Sequence, residues 1–365
     1  MRVLHLIDTL RPGGAERLAV ELANQTVALG GGAAVCATRQ GGSWIDLLDD
    51  GVQRLELGRR RRFDLPAMRR IGSFAKECRA ELIHSHGRSS TALAGFARAA
   101  GVELPPILFH EHWGGAPPSW LFRLLSGRSF AGCVAASLDR ISGMPLKRCH
   151  AQPGAVDFLR FDNRRADIEL RAAARNRLGL ASDALIGIAV GGLRAEKGLD
   201  VLLQALSELA LPPRFLLLIV GGERDEPYAR GCRSLTMRVG LGERVRFVGE
   251  QDSVEPWIVS SDLGLHAARV ESGPLVLAEL LAAGLPVVCT RVGEMARQAE
   301  RAGIEGFVPP DAPEQFGAEL QRLLDASAAE REKRGEQGRR RARELFDLRA
   351  QMPRWFEIYE RTVRG

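Results

Sequence analysis

Short apolar runs separated by longer amphipathic stretches repeat along this chain of 365 residues. Residues 3–7 are too few for a helix of their own and suit a strand buried on both faces. Arg11-Pro12-Gly13-Gly14 interrupts the run, and helical periodicity follows over 15–29. Further apolar runs at 33–37, 54–57, 82–84, 107–110, 132–136 and 149–152 predict strands, with helices over 67–78, 89–100 and 118–125. The pattern restarts after Asp157. It predicts strands at 184–190, 215–220, 245–248, 263–266 and 286–289, and a helix over 198–209. Residues 158–180 read as a connecting segment, and 329–363 as a long helix, charged at first and amphipathic later. Two rounds of strand–helix alternation predict an α/β protein with two doubly wound parallel sheets.

Length supports the same division, since 365 residues exceed one ordinary core. The expected domains are 1–157 and 158–345, with a final helix at about 346–365 packing back on the first. Apolar residues at 45% and charged residues at 26% describe a soluble globular protein. No apolar stretch reaches the roughly 18 residues of a membrane span, and the first ten residues are too short and polar for a signal peptide. Six scattered cysteines form no metal-site spacing and read as small buried hydrophobes in a reducing cytoplasm. The net charge of +6 is concentrated in the first half. Its densest cluster, Arg59-Arg60-Arg61-Arg62, is either a solvated loop or a contact with an anionic lipid or acceptor. Nucleic acid is not expected, because no aromatic residues interleave with these arginines.

The most informative segment runs from Glu271 through Ser272-Gly273-Pro274-Leu275-Val276 to Glu279, and a helix is expected to continue to Ala283. Proline suits a first helical turn, where its missing N–H costs nothing. The N–H groups of Leu275 and Val276, with the helix dipole, then favour an anion held near Gly273. Eight residues is a little over two turns, so two helical carboxylates would share a face about 12 Å apart along the axis. Phosphate between two hydroxyl-binding acids is the outline of a sugar nucleotide.

This run resembles the E-x7-E motif of the retaining glycosyltransferases of family 4 (glycosyl transferases group 1). The flanks Ser261-Asp262, Ala282-Ala283-Gly284-Leu285-Pro286-Val287-Val288 and Gly293 match as well. The family usually has Glu-Gly-Phe-Gly where this chain has Glu271-Ser272-Gly273-Pro274. Gly191-Gly192-Leu193-Arg194-Ala195-Glu196-Lys197-Gly198 resembles its strand–loop–helix phosphate motif. The family's arginine position is Gly192 here, with Arg194 as the candidate replacement. Val245-Arg246-Phe247-Val248-Gly249-Glu250 resembles the strand bearing the base, which the backbone of Gln251 or Asp252 would read. Gly13-Gly14-Ala15-Glu16-Arg17 resembles the first glycine loop. In Phe109-His110-Glu111-His112-Trp113-Gly114-Gly115 the family's sugar-facing histidine falls on His112, with His110 the alternative. Ile83-His84-Ser85-His86-Gly87 resembles a strand end on the acceptor side. Gln152-Pro153-Gly154-Ala155-Val156-Asp157 stands at the family's interdomain crossover, without its Asn-Gly.

The resemblance implies the GT-B fold, two Rossmann-like domains facing across a cleft, and retaining, metal-independent transfer from a UDP- or GDP-sugar. The acceptor would be a saccharide or a lipid-linked sugar, as in cell-surface polysaccharide or glycolipid assembly. Lys197 would neutralise the leaving diphosphate, helped by Arg194, Gly14, Gly191, Gly273 and the N–H groups of Leu275 and Val276. Glu271 would bind a sugar hydroxyl, Glu279 the ribose, and His112 the donor sugar, positioning rather than exchanging protons. No cofactor is expected. Histidines at 84, 86, 110 and 112 alternate on two strands, but no carboxylate spacing completes a metal site there. Absence of any Asp-x-Asp pair argues against a metal-dependent transferase of the other common fold. A sugar-nucleotide 2-epimerase or hydrolase on the same fold is the alternative. The expected location is the cytoplasm, with peripheral contact at the inner membrane face through the four arginines.

Overall fold

A computed structural model describes all residues except 113–118, 142–143, 146–147, 162–167 and 365. The Trp113-Gly114-Gly115 end of the histidine motif and the predicted helix start at 118 therefore lie outside the described residues. The chain forms two compact units, Met1–Ala155 with Leu348–Gly365, and Val156–Asp347.

The first unit is built on a seven-stranded sheet. Its strands are β1 (Arg2–Ile7), β2 (Gly32–Ala37), β3 (Gln53–Glu56), β4 (Leu82–His86), β5 (Ile107–Glu111), β6 (Gly132–Ala135) and β7 (Cys149–Ala151). All pair in parallel in the order β3-β2-β1-β4-β5-β6-β7. The central strands are apolar on both faces because helices cover both. Leu4, Leu6, Ile83 and Phe109 pack into one core layer, and Ile7, Val20 and Val35 into the other. The Leu348–Arg364 helix belongs to this unit. It buries Trp355 and Tyr359 completely, their rings lying 5.4 Å from that of His84.

The second unit repeats the scheme with β8 (Leu185–Val190), β9 (Phe215–Val220), β10 (Val245–Gly249), β11 (Leu263–His266), β12 (Val287–Thr290) and β13 (Phe307–Val308). These are parallel in the order β10-β9-β8-β11-β12-β13. Strand order reverses between β8 and β11, which opens a crevice at their carboxyl ends.

Three expectations need correction. The helix after Glu271 begins only at Leu275 and runs to Ala282, because Pro274 is extended at φ −69°, ψ 102°. Glu271 therefore sits in the preceding loop, and the 12 Å axial spacing does not apply. The segment 158–180 is not merely a connection, since it carries a helix at Ile168–Arg177. The long terminal helix is two, Ala328–Phe346 and Leu348–Arg364, parted where Asp347 pairs with Val156 and Val156 N–H donates to the Phe346 carbonyl at 3.0 Å.

Candidate functional site

The reversal point of the second sheet gathers most of the sequence candidates. After β8 the chain passes through Gly191 and Gly192, makes one short turn at Ala195–Lys197 and enters the Leu199–Ser207 helix. Gly198 links the two at φ +60°, and a Cβ there would collide with the Ala267 carbonyl oxygen. That close approach presses the loop after β8 onto the loop after β11. Arg269 ties them again, donating to the Ala195 carbonyl at 2.9 Å and pairing with both oxygens of Asp200.

Between these loops the Lys197 ammonium is ion-paired with the Glu271 carboxylate. The Lys197 stem lies over Gly191, its Cε 3.4 Å from where a Cβ would stand. His266, buried at the end of β11, brings Nε2 to 3.7 Å from Glu271. Burial pushes the His266 pKa down to about 4, against the pull of Glu271 and with help from Lys197, so the ring is neutral at pH 7. Its Nε2 makes no hydrogen bond.

Four residues beyond Glu271, the Leu275–Ala282 helix begins. Its first N–H groups, Leu275 and Val276, have no partner within the helix. The loop before it is pinned from the other side, where the Glu294 N–H donates to the Ser272 carbonyl at 3.0 Å. Glu279 lies one turn deeper and is 7% exposed. Such a carboxylate needs a cation. Arg160 provides it, at 3.5 Å, while bonding Glu255 at 2.7 Å.

The structure thus brings Gly191, Lys197, Glu271, Leu275, Val276 and Glu279 to one end of one sheet. Arg194 instead caps the short turn and is exposed. Another arginine occupies the space at Gly192. An added Cβ there would stand 2.7 Å from Cγ of Arg224, which is ion-paired with Glu250. Gln251 follows Glu250 and accepts from the Trp257 indole at 3.3 Å. Sequence reasoning missed Arg160, Arg224 and His266. The only local hint was the glycine at 192 in place of an arginine.

Gly14 and His112 belong to the first unit. Gly14 opens the Gly14–Ala28 helix. His112 follows β5, half-buried, with Nε2 3.0 Å from Nδ1 of His86. Arg59 corrects the four-arginine patch. It is 4% exposed, donating to Thr38 and Ser89 and pairing with Asp8 at 2.7 Å, so only Arg60, Arg61 and Arg62 face outward.

Two parallel doubly wound sheets, with the site at the switch point of the second, define a GT-B protein. Solved structures agree over the full length. A glycosyltransferase from Rickettsia africae superposes with a TM-score of 0.81 at 17% identity, covering 100% of this chain and 99% of that one. Alr3699/HepE of Anabaena, in complex with UDP and glucose, gives 0.82 at 19%, covering 99% of each. The profile described as Glycosyltransferase Family 4 matches residues 12–142, and that described as Glycosyl transferases group 1 matches 185–326. The chain belongs to this family, the group 1 glycosyltransferases of family 4. Among curated relatives, the D-inositol 3-phosphate glycosyltransferase of Streptomyces griseus is 36% identical over 195 residues, 50% of this chain and 40% of the relative. That of Xylanimonas cellulosilytica is 35% identical over 163 residues, 44% of this chain and 39% of the relative. The matches therefore span about two fifths of these relatives' length. Among the described residues, no helix is long and apolar enough to cross a membrane.

Proposed function

We propose that this chain transfers a sugar, with retention, from a UDP- or GDP-sugar to a saccharide or lipid-linked acceptor. The observation that carries this reading is the Lys197–Glu271 pair at the mouth of the Leu275–Ala282 helix. Donor diphosphate draws the ammonium from Glu271, and the carboxylate turns to a sugar hydroxyl. The N–H groups of Leu275 and Val276 meet the same charge, which grows as the glycosidic bond lengthens. Arg224, whose stem lies against Gly192, supplies the second cation more directly than Arg194, which only caps the short turn. Glu279, held by Arg160, accepts from the ribose hydroxyls, and the loop at Gln251 borders the base.

In the first unit His112 is the group offered to a sugar hydroxyl. The transfer step uses no metal, as is general in this family. UDP-glucose is the first donor to test, because the Anabaena protein is solved with it. Exposed Arg60, Arg61 and Arg62, followed by exposed Phe63 and Leu65, suit an anionic membrane surface.

The test is a thermal-shift panel of UDP-, GDP- and ADP-sugars, followed by turnover of the best donor with and without saccharide acceptors. A donor-specific rise in Tm and acceptor-dependent nucleotide release support transfer. Conversion of the donor alone at full rate would instead mean an epimerase or hydrolase.

A further inference from the structure

Five of the seven histidines in the chain meet at the carboxyl ends of β1, β4 and β5. Strand register brings them together, with His5 opposite His84 and His86 opposite His110. Residues two apart on a strand share a face. His84 and His86 therefore project together, as do His110 and His112, whose stacked rings are 3.8 Å apart. One ring nitrogen from each of His86, His110 and His112 falls within a 4.8 Å group.

We propose that His86, His110 and His112 form a binding site for a divalent transition-metal ion of the zinc class, held by three neutral imidazoles. The inference does not rest on the transfer reaction, and an ion held here would compete with a sugar hydroxyl for His112 rather than take part in transfer. In a tetrahedral zinc site with Zn–N of about 2.0–2.1 Å, ligand nitrogens stand about 3.3 Å apart. His86 Nδ1 and His112 Nε2 are 3.0 Å apart, so that pair needs a few tenths of an ångström of widening, while the His110 nitrogen, within 4.8 Å of both, completes the triad by a small rotation of its ring.

The second nitrogens of His86 and His110 are already held as ligands require. His86 Nε2 contacts His5 Nδ1 at 3.1 Å, and His110 Nδ1 contacts His84 Nε2 at 3.1 Å. His84 Nδ1 in turn contacts the Tyr359 hydroxyl at 2.9 Å. If His86 donates from Nε2 and His110 from Nδ1, their other nitrogens turn lone pairs into the triad. Such outer contacts fix the tautomer and orientation of metal-bound histidines.

A second triad, His5, His84 and His86, has the same compactness. It is buried throughout, whereas His112 is half-buried, which favours the first triad as the one an ion reaches. The sequence expectation looked for a carboxylate to complete the site. The third ligand is instead a histidine supplied by the neighbouring strand.

The experiment uses the full chain without an affinity tag, stripped with EDTA and titrated calorimetrically with Zn²⁺, then with Co²⁺ followed by visible absorption. One equivalent is expected to bind, with the intense bands of four-coordinate cobalt. His112→Ala and His110→Ala should each weaken Zn²⁺ at least tenfold while circular dichroism stays native. Should His110→Ala fail to fold, His112→Ala decides, because that side chain lies beyond β5 and is the least buried of the three. Absence of stoichiometric binding to the folded wild type, or undiminished binding in His112→Ala, overturns the proposal.

Discussion

Replacing Lys197 by Ala tests the phosphate assignment most directly. An ammonium about 3 Å from a phosphate oxygen interacts by about 5 kcal/mol at an effective dielectric of 20. Part of this is offset, because Lys197 gives up Glu271 to reach the phosphate and its side chain is 25% exposed. Roughly 3 kcal/mol remains, in line with the loss of one donor from a charge-stabilising site, or about 10² in kcat. Turnover of the best nucleotide-sugar under saturating acceptor is the assay, with circular dichroism to confirm the fold. An independent readout is available in the free protein. Lys197 is one of the influences that lower the His266 pKa, so its removal should move that titration upward from about 4 in an NMR series. A kcat within twofold of wild type, in a variant whose His266 has shifted, would refute the phosphate role while leaving the ion pair intact.

Glu279→Ala should raise KM for the nucleotide-sugar by roughly tenfold with a smaller change in kcat, since it removes one charged hydrogen-bonding group. A change confined to acceptor affinity would exclude the ribose assignment. Gly198→Ala should destabilise by more than about 2 kcal/mol, because left-handed backbone disfavours a Cβ and this one meets the Ala267 carbonyl. Denaturant unfolding measures it, and an unchanged midpoint would mean that the two loops are not locked together. Acid should unfold the protein early. His5 and His112 are pushed down to about 3 and His266 to about 4 by burial, so between pH 6.5 and those values the unfolded chain binds protons that the folded one refuses. Stability therefore falls with falling pH by about 1.4 kcal/mol per unit for each such histidine. Three of them remove about 4 kcal/mol between pH 7 and pH 5.5, which in a chain of 365 residues lowers Tm by roughly 5 °C; a flat Tm over that range rejects the neutral-histidine reading.

Strands such as Phe215–Val220 and Leu263–His266 were legible to the residue, because a strand buried on both faces is an unbroken apolar run ended by glycine or polar residues. β13 was not, since two residues carry no period. The site candidates near Lys197 were legible through glycines and proline, whose backbone demands are local. What escaped depends on partners distant in sequence. The break at Asp347 is set by Val156, and nothing nearby in the chain marks it. Glu279 is partnered by Arg160, and Gly192 is covered by Arg224, neither pairing having a sequence period. Four consecutive arginines read as one patch, yet Asp8 draws the first of them inward.

The first unit is not a continuous stretch of chain. Its opening 155 residues leave the ribosome long before the Leu348–Arg364 helix exists. At about 5–20 residues per second, the intervening roughly 190 residues take about 10–40 s to make. Throughout that interval His84 and His110 lack the Trp355 and Tyr359 rings that later seal them. Every nascent chain thus carries an uncapped, imidazole-floored sheet while it grows, a natural client for a chaperone until the Leu348–Arg364 helix emerges.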